Sequence, residues 1–423
     1  MAEQTKIRIA VVGAGIAGLA TAIALKGHPG VDVQIYERAS ELREIGASIA
    51  LGPNGMRTLD RLGVDNALSP DIAFRNKSRC PMIYRHYKTA EIVSVDTHVG
   101  KVDDDHLTSR YYRAHLQKAL LEHVKPSQIH LQKSFESVEF DESRQELAIT
   151  FGDGTTVSAD IILGADGIHS KVRTFFVPTS RTGWTGWVTF RSAFSVSELS
   201  GIDVPEEAEH IWGPDRTLFI SKLGKNLFTV VGSHQSDPNA PDAPYKDAVW
   251  NSPGDVRTLR EYYKDWHPRY RDIVNATPYT HIYPNAAAHA LDTWVLGNGR
   301  VTLAGDAAHA HGGAFAAGGS LALDDAWAFA AAITYVFPPE AVKARSGPVV
   351  AGKDVARALQ IYEKTRKGHT DRVMAVVHEM NEKKVARLGH VQTDEDLRAR
   401  MKNRYDPSWI HEHDVQAAFE QAL

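Results

Sequence analysis

The 423-residue chain exceeds what one hydrophobic core usually serves, so two domains are expected. Its 43% hydrophobic and 24% charged residues are ordinary for a globular protein, and a formal net charge of −4 offers no electrostatic footing for nucleic acid or an anionic membrane. A lone cysteine, Cys80, excludes an intramolecular disulfide. With no secretory pattern at the N-terminus and no apolar run long enough to span a bilayer, a cytoplasmic protein is expected.

Lys6–Val12 is a short β-branched run and predicts a buried parallel strand. A Gly-rich turn over 13–18, a helix over 16–26 and a second strand over 31–36 complete one βαβ unit. Tyr111–Val124 has apolar residues near helical spacing and predicts an amphipathic helix. Ile129–Phe151 alternates, with GDGTT at 152–156 as turn punctuation, and 160–163 returns to a buried strand. Residues 181–283 carry aromatic, strand-like runs such as WVTFRSAF and NLFTVVGSH and predict an antiparallel sheet. Val301–Ala304 is a further short strand, followed by a long apolar helix through Tyr335. A loop over 337–353, a charged helix over 355–384 and a helix-prone tail complete the chain.

Nucleotide-fold strands therefore recur early, midway and late, with a sheet inserted between them. The class is α/β: a Rossmann-like domain at 1–75, 101–180 and 284–345, interleaved with an antiparallel sheet domain at 76–100 and 181–283, plus C-terminal helices at 346–423.

Gly13-Ala14-Gly15-Ile16-Ala17-Gly18 matches G-x-G-x-x-G between strand and helix. Gly13 serves the tight turn, Gly15 the approach of a pyrophosphate, and Gly18 the helix–strand packing. Glu37 ends the second strand, where an acid accepts from both ribose hydroxyls and disfavours a 2′-phosphate. GADGIHSKVR at 164–173 follows a strand. GDAAHAHGGAFAAGGSLALDDA at 305–326 is almost free of bulky side chains, which leaves backbone exposed for a flat ring and a polar chain. A helix beginning near Ser320 would point its positive end at that ring.

With YER at 36–38, EIGASIALGPNGMRTLDRLG at 44–63 and YYRAHL at 111–116, these motifs stand in a characteristic order. The sequence resembles the single-component FAD-dependent aromatic hydroxylases, and more narrowly their salicylate-hydroxylase-like branch, from about residue 6 to about 380. The resemblance implies an FAD-binding domain in which Gly13, Gly15, Gly18, Glu37 and the neighbouring Arg38 hold the ADP half. It implies Arg113 at the ribityl–phosphate region, Asp166 linked to both FAD and NAD(P)H, and Asp306 on the ribityl chain. Gly318 and Gly319 would lie at the ring, and Arg43 would help admit NADH or NADPH. One departure stands out. The family's usual run after GDAAH has a Pro and then Gly-Gln-Gly before an acidic pair. Here Gly313 takes the Pro position, Ala316 and Ala317 replace Gly-Gln, and Asp324-Asp325 is the acidic pair.

The implied reaction hydroxylates a small phenol through a flavin C4a-hydroperoxide, with O₂ as co-substrate. It needs a dry pocket and a base or cation near the phenol oxygen. Arg191 is the candidate for a substrate carboxylate or phenolate, His234 for a phenol-facing base, and His309 or His311 for proton delivery. Trp187, Trp212 and Phe219 are candidate wall residues, or simply sheet core. No metal-ligand spacing is present, and none is expected. An ortho-hydroxybenzoate such as salicylate is the preferred substrate class, followed by a fused or polyketide-type phenol and then by a pyridine or purine. An O₂-independent flavin reductase and a non-catalytic flavoprotein remain alternatives. A monomer or homodimer is expected.

Overall fold

The computed structural model describes residues 6–42, 47–340, 352–390 and 392–423. Its first layer is a five-stranded parallel sheet in the order Val301–Leu303, Ile161–Gly164, Ile7–Val12, Val31–Tyr36, Ile129–His130. The central strands are buried on both faces, as their unbroken apolar sequences require. Helix Ile16–Ala24 packs against helix Gly318–Val336, whose Ala- and Gly-rich surface allows close approach.

The second layer is an eight-stranded sheet in the order Ser252–Gly254, Thr280–Ala288, Thr182–Ser195, Leu227–Gln235, Arg216–Leu223, Glu209–Trp212, Ile83–His86, Ile92–Val95. Every pairing is antiparallel except that of Glu209–Trp212 with Ile83–His86. Residues alternate across it. Val188, Phe190, Ile220 and Val230 point to a core capped by helices Val256–Tyr262 and Pro268–Ala276. The opposite face looks toward the parallel sheet.

Three sequence expectations change. Tyr111 and Tyr112 belong to strand Ser109–Tyr112, and the helix begins only at Arg113. Aromatic residues favour a pleated surface, and the buried Tyr111 hydroxyl donates to the Ala67 carbonyl at 2.9 Å. The inserted sheet runs past position 283, because strand Thr280–Ala288 stays paired to Thr182–Ser195 through Ala288. The C-terminal helices also form no body of their own. Helix Gly352–Val385 packs on Gly318–Val336 and reaches the antiparallel sheet with its last turn, while Leu397 and Met401 of helix Asp394–Lys402 cover Tyr84. No helix among the described residues is long and apolar enough to cross a membrane.

Candidate active site

The three glycines of the first turn do three different things. Gly13 has φ +108°, and a Cβ there would fall 2.4 Å from the Ala165 carbonyl oxygen. A Cβ on Gly18 would fall 2.0 Å from the Gly13 carbonyl oxygen, so this glycine seats the helix on the turn. Gly15 is different: nothing lies within 4 Å of a Cβ placed on it, and it faces an open cavity. Glu37 also faces this cavity and accepts from the Ala14 N–H at 2.8 Å and the Ala39 N–H at 2.9 Å. Arg38 stands exposed beside it, and Arg113 lines the same space. Arg43 lies outside the described residues.

Asp166 closes the second motif on itself. Its carboxylate accepts from the Ser170 hydroxyl at 2.5 Å, the Lys171 N–H at 2.7 Å and the Val172 N–H at 3.2 Å. It thereby satisfies the first two free N–H groups of helix Lys171–Phe176, whose N-cap is Ser170, with its hydroxyl accepting from the Arg173 N–H at 2.9 Å. Burial raises its pKa, opposed by those hydrogen bonds. The buried Arg173 guanidinium then donates to the carbonyls of Ile168, Asp306 and Ala307, tying this loop to the third motif. Arg173 ends the GADGIHSKVR motif, and nothing local in the sequence marks it for this role.

In the third motif Gly305 takes φ +60° and Asp306 opens a one-turn helix. The Asp306 carboxylate faces the cavity with no protein donor among the described residues. The chain then stays left-handed at Gly312, Gly313, Phe315 and Ala316. Gly313 has φ +73°, which the proline usual at this place cannot adopt. Helix Gly318–Val336 starts two residues before the expected Ser320 and aims its first N–H groups into the cavity. Gly319 presses on strand Ser48–Leu51, where a Cβ would fall 2.8 Å from Leu51. His311 lies beside Gly318 and Asp306, lines the cavity, and has both ring nitrogens buried without partners. Burial lowers its pKa, against the raising influence of Asp306.

One continuous cavity of about 1480 Å³ joins this cradle to the open face of the antiparallel sheet. Arg191 stands at the junction. Its Nε donates to Thr189 at 3.0 Å, its guanidinium lies 5.3 Å from the Tyr283 ring centre, and Nη2 is 3.9 Å from where a Gly313 Cβ would be. Burial lowers its pKa, partly offset by Tyr283, yet a guanidinium remains charged. Tyr283 and Asn285, which carried no sequence signal, share this junction. The tail closes one side, where Glu412 accepts from the Val99 N–H at 2.8 Å and the Gly100 N–H at 3.1 Å.

Two catalytic candidates do not reach the cavity. His234 occupies the other parity of its strand from Val231, Ser233 and Gln235, and stacks on Tyr262 at 5.1 Å on the far face. His309 is buried behind the cradle, with Nε2 2.6 Å from Asp325. Trp187, Trp212 and Phe219 do line the cavity.

Residues 6–345 match the FAD binding domain family. The chain belongs to it. It is 28% identical over 383 residues to 6-hydroxynicotinate 3-monooxygenase of Bordetella bronchiseptica, covering 89% of this chain and 92% of that one. It is 30% identical over 337 residues to a 3-amino-4-hydroxybenzoate 2-monooxygenase of Streptomyces platensis, covering 78% and 80%. Its fold superposes on a salicylate hydroxylase substrate complex with a TM-score of 0.76 at 22% identity, covering 100% of this chain and 99% of that one. The protein is an FAD-dependent monooxygenase of the aromatic-hydroxylase class, with NADH or NADPH as reductant. The site fits that cofactor: open space at Gly15, and along a small-residue cradle an Asp306 carboxylate and His311 nitrogens without partners among the described residues.

Proposed function

We propose that the protein hydroxylates an acidic phenol with an ortho-hydroxybenzoate core. Salicylate is the simplest such compound, and catechol and CO₂ would be its products. The observation that carries this reading is Arg191, a fixed cation where the cradle meets the aromatic-walled half of the cavity. Relatives that act on hydroxybenzoate and hydroxynicotinate support an acidic ring as substrate.

Bound FAD supplies the redox chemistry, passing electrons from NAD(P)H to O₂ so that one oxygen atom enters the ring and the other leaves as water. The chain's residues do the rest. Gly15 would leave room for the pyrophosphate, and Glu37, with Arg38 beside it, would accept from the ribose. Arg113 and Asp306 would hold the polar chain between nucleotide and ring. The first turn of Gly318–Val336 would offer its positive end to the ring. Asp166 acts indirectly, by fixing the loop that Gly13 packs against. Beside the phenol oxygen, Arg191 stabilises the phenolate by charge and so favours loss of the phenol proton; beside the carboxylate, it orients the ring. The low-polarity walls limit water around the reacting carbon.

The test is O₂ uptake during NADH oxidation by the FAD-loaded protein, with and without salicylate, followed by product analysis. Stimulation with catechol formed supports the reading. NADH consumption without O₂ uptake would favour a reductase. Retained FAD with no turnover on any phenol would favour a binding protein. Stimulation by a bulkier phenol alone would keep the reaction and move the substrate class.

A further inference from the structure

From Arg191, strand Thr182–Ser195 presents Thr189 and then Trp187 to the cavity. At the usual rise of a strand, Trp187 stands roughly 13 Å beyond Arg191. There Nζ of Lys384 lies 4.8 Å from the Trp187 ring centre. Lys384 belongs to the last turn of helix Gly352–Val385, and Val377, Asn381 and Lys384 form one cavity-facing stripe at helical spacing. Its neighbour Lys383 is exposed and pairs with Glu379. Lys384 has no such partner among the described residues. Its charged neighbours are Arg387 and Arg400, and burial together with these cations brings its pKa down to about 8.

The carboxylates nearby are engaged elsewhere: Asp215 lines the cavity and acts on Arg400, but it is paired with Arg216. Arg400 donates to the carbonyls of Gly213 and Pro214 and lies over Trp212 at 5.5 Å. His210, among Tyr84, Trp212 and Phe219, is kept neutral by burial and by Lys384 and Arg404, with a pKa of about 3. Arg404 is already paired with Asp96. An aromatic-walled recess holding a half-buried ammonium with no carboxylate partner among the described residues is a site that an anion completes.

We propose that Lys384, with Arg387 behind it, binds a carboxylate at the far end of an extended phenolic substrate. This rests on the hydroxylase reading and deepens it. The ring to be oxidised sits by Arg191, and the molecule reaches a further ring or side-chain length along the sheet to Lys384. Salicylate would then be only the reacting fragment of the preferred substrate.

The probes are 4-hydroxycinnamate and 4′-hydroxybiphenyl-4-carboxylate, each beside its methyl ester, titrated calorimetrically into the full FAD-loaded chain. The acids are expected to bind more tightly than the esters. Lys384→Met should raise the Kd of the acids by about 10- to 100-fold and leave the esters unchanged. Lys384→Arg should retain the acid preference, and FAD content should not change in either variant. Equal binding of acid and ester by the unsubstituted protein would overturn the proposal. So would an equal loss for both in Lys384→Met, which would reduce the lysine to packing on Trp187. Because the readout is binding, it stands apart from O₂ uptake. Absence of turnover with every phenol would sink the hydroxylase reading and leave the acid-versus-ester result to decide the anion site.

Discussion

Nε2 of His309 lies 2.6 Å from Oδ2 of Asp325, and both side chains are sealed from water. The same oxygen accepts from the Gly305 N–H at 2.8 Å, and the other accepts from Arg366 at 2.8 Å. Asp325 therefore pins the left-handed turn before Asp306 to helix Gly352–Val385. Its neighbour Asp324 accepts from Asn54 and Thr58 and pins the opposite side. Burial opposes ionisation of Asp325, but His309 and Arg366 outweigh it and hold the pKa down to about 2. Asp325→Asn should cost about 3–5 kcal/mol, as breaking a buried ion pair does. A urea-unfolding midpoint equal to that of the unsubstituted chain would contradict this. The sign with pH follows from a folded pKa below the unfolded carboxylate value. The contribution is complete above about pH 4 and is lost as pH falls through about 2. Equilibrium unfolding across acid pH checks it, with Asp325→Asn expected to flatten that part of the profile.

The first turn separates folding from cofactor binding residue by residue. Gly15→Val meets open space, so the variant should fold within about 1 kcal/mol of the parent and yet fail to retain FAD. Gly18→Ala drives a methyl into the Gly13 carbonyl and should lose about 3 kcal/mol. Thermal unfolding of the apoproteins with flavin absorbance of the purified forms distinguishes the two. A yellow, FAD-replete Gly15→Val would remove Gly15 from the pyrophosphate site.

These contrasts show what the sequence carries. Gly13, Gly15 and Gly18 announce themselves because backbone geometry at a strand–turn–helix is local and only glycine satisfies it. Glu37 is legible for the same reason, one strand later. Arg191 and His234 look alike in sequence, each being a polar residue in an aromatic strand. Which one enters the cavity depends on register, and register is set by partners far along the chain. His309 reads as an active-site histidine because it adjoins Asp306. Its burial against Asp325 and Arg366 needs a helix that arrives some forty residues later. Lys384 has no local signature at all, and only the packing of its helix on the sheet brings it to Trp187.

Asp306→Ala should weaken FAD binding by about 1.5–3 kcal/mol, the worth of a charge-assisted hydrogen bond. Its carboxylate has no protein donor among the described residues, so apoprotein stability should barely move. Fluorescence titration of apoprotein with FAD measures the first, and unfolding of the apoprotein the second. Unchanged affinity would take Asp306 out of the site.

The departure at Gly313 predicts two substitutions of opposite sign. Gly313→Pro restores the residue usual in the family, but the backbone here has φ +73° and proline requires about −65°. The variant should lose about 2 kcal/mol or rearrange the cradle, with weaker FAD binding. Ala316→Gly relieves a left-handed alanine at φ +53° and should gain up to about 1 kcal/mol. Paired melting curves test both. If Gly313→Pro is neutral, the cradle's backbone is not fixed in the left-handed form.

Strand parity makes the last pair of variants diagnostic. Arg191 points into the cavity and His234 away from it, although both belong to adjacent strands of one sheet. Arg191→Gln should lower kcat/KM for salicylate by about 10- to 100-fold through loss of the charge that holds the phenolate or carboxylate. It should leave FAD content intact, because no cofactor role falls to that side chain. His234→Gln removes only a ring stacked on Tyr262, so stability should fall by less than about 1 kcal/mol and kcat/KM by less than about twofold. Steady-state kinetics on FAD-matched samples decides between them. A collapse of turnover in His234→Gln at unchanged stability would mean that the histidine reaches the substrate after all. Unaltered kinetics in Arg191→Gln would leave the junction of the cavity without its cation and would shift substrate recognition to the Lys384 end alone.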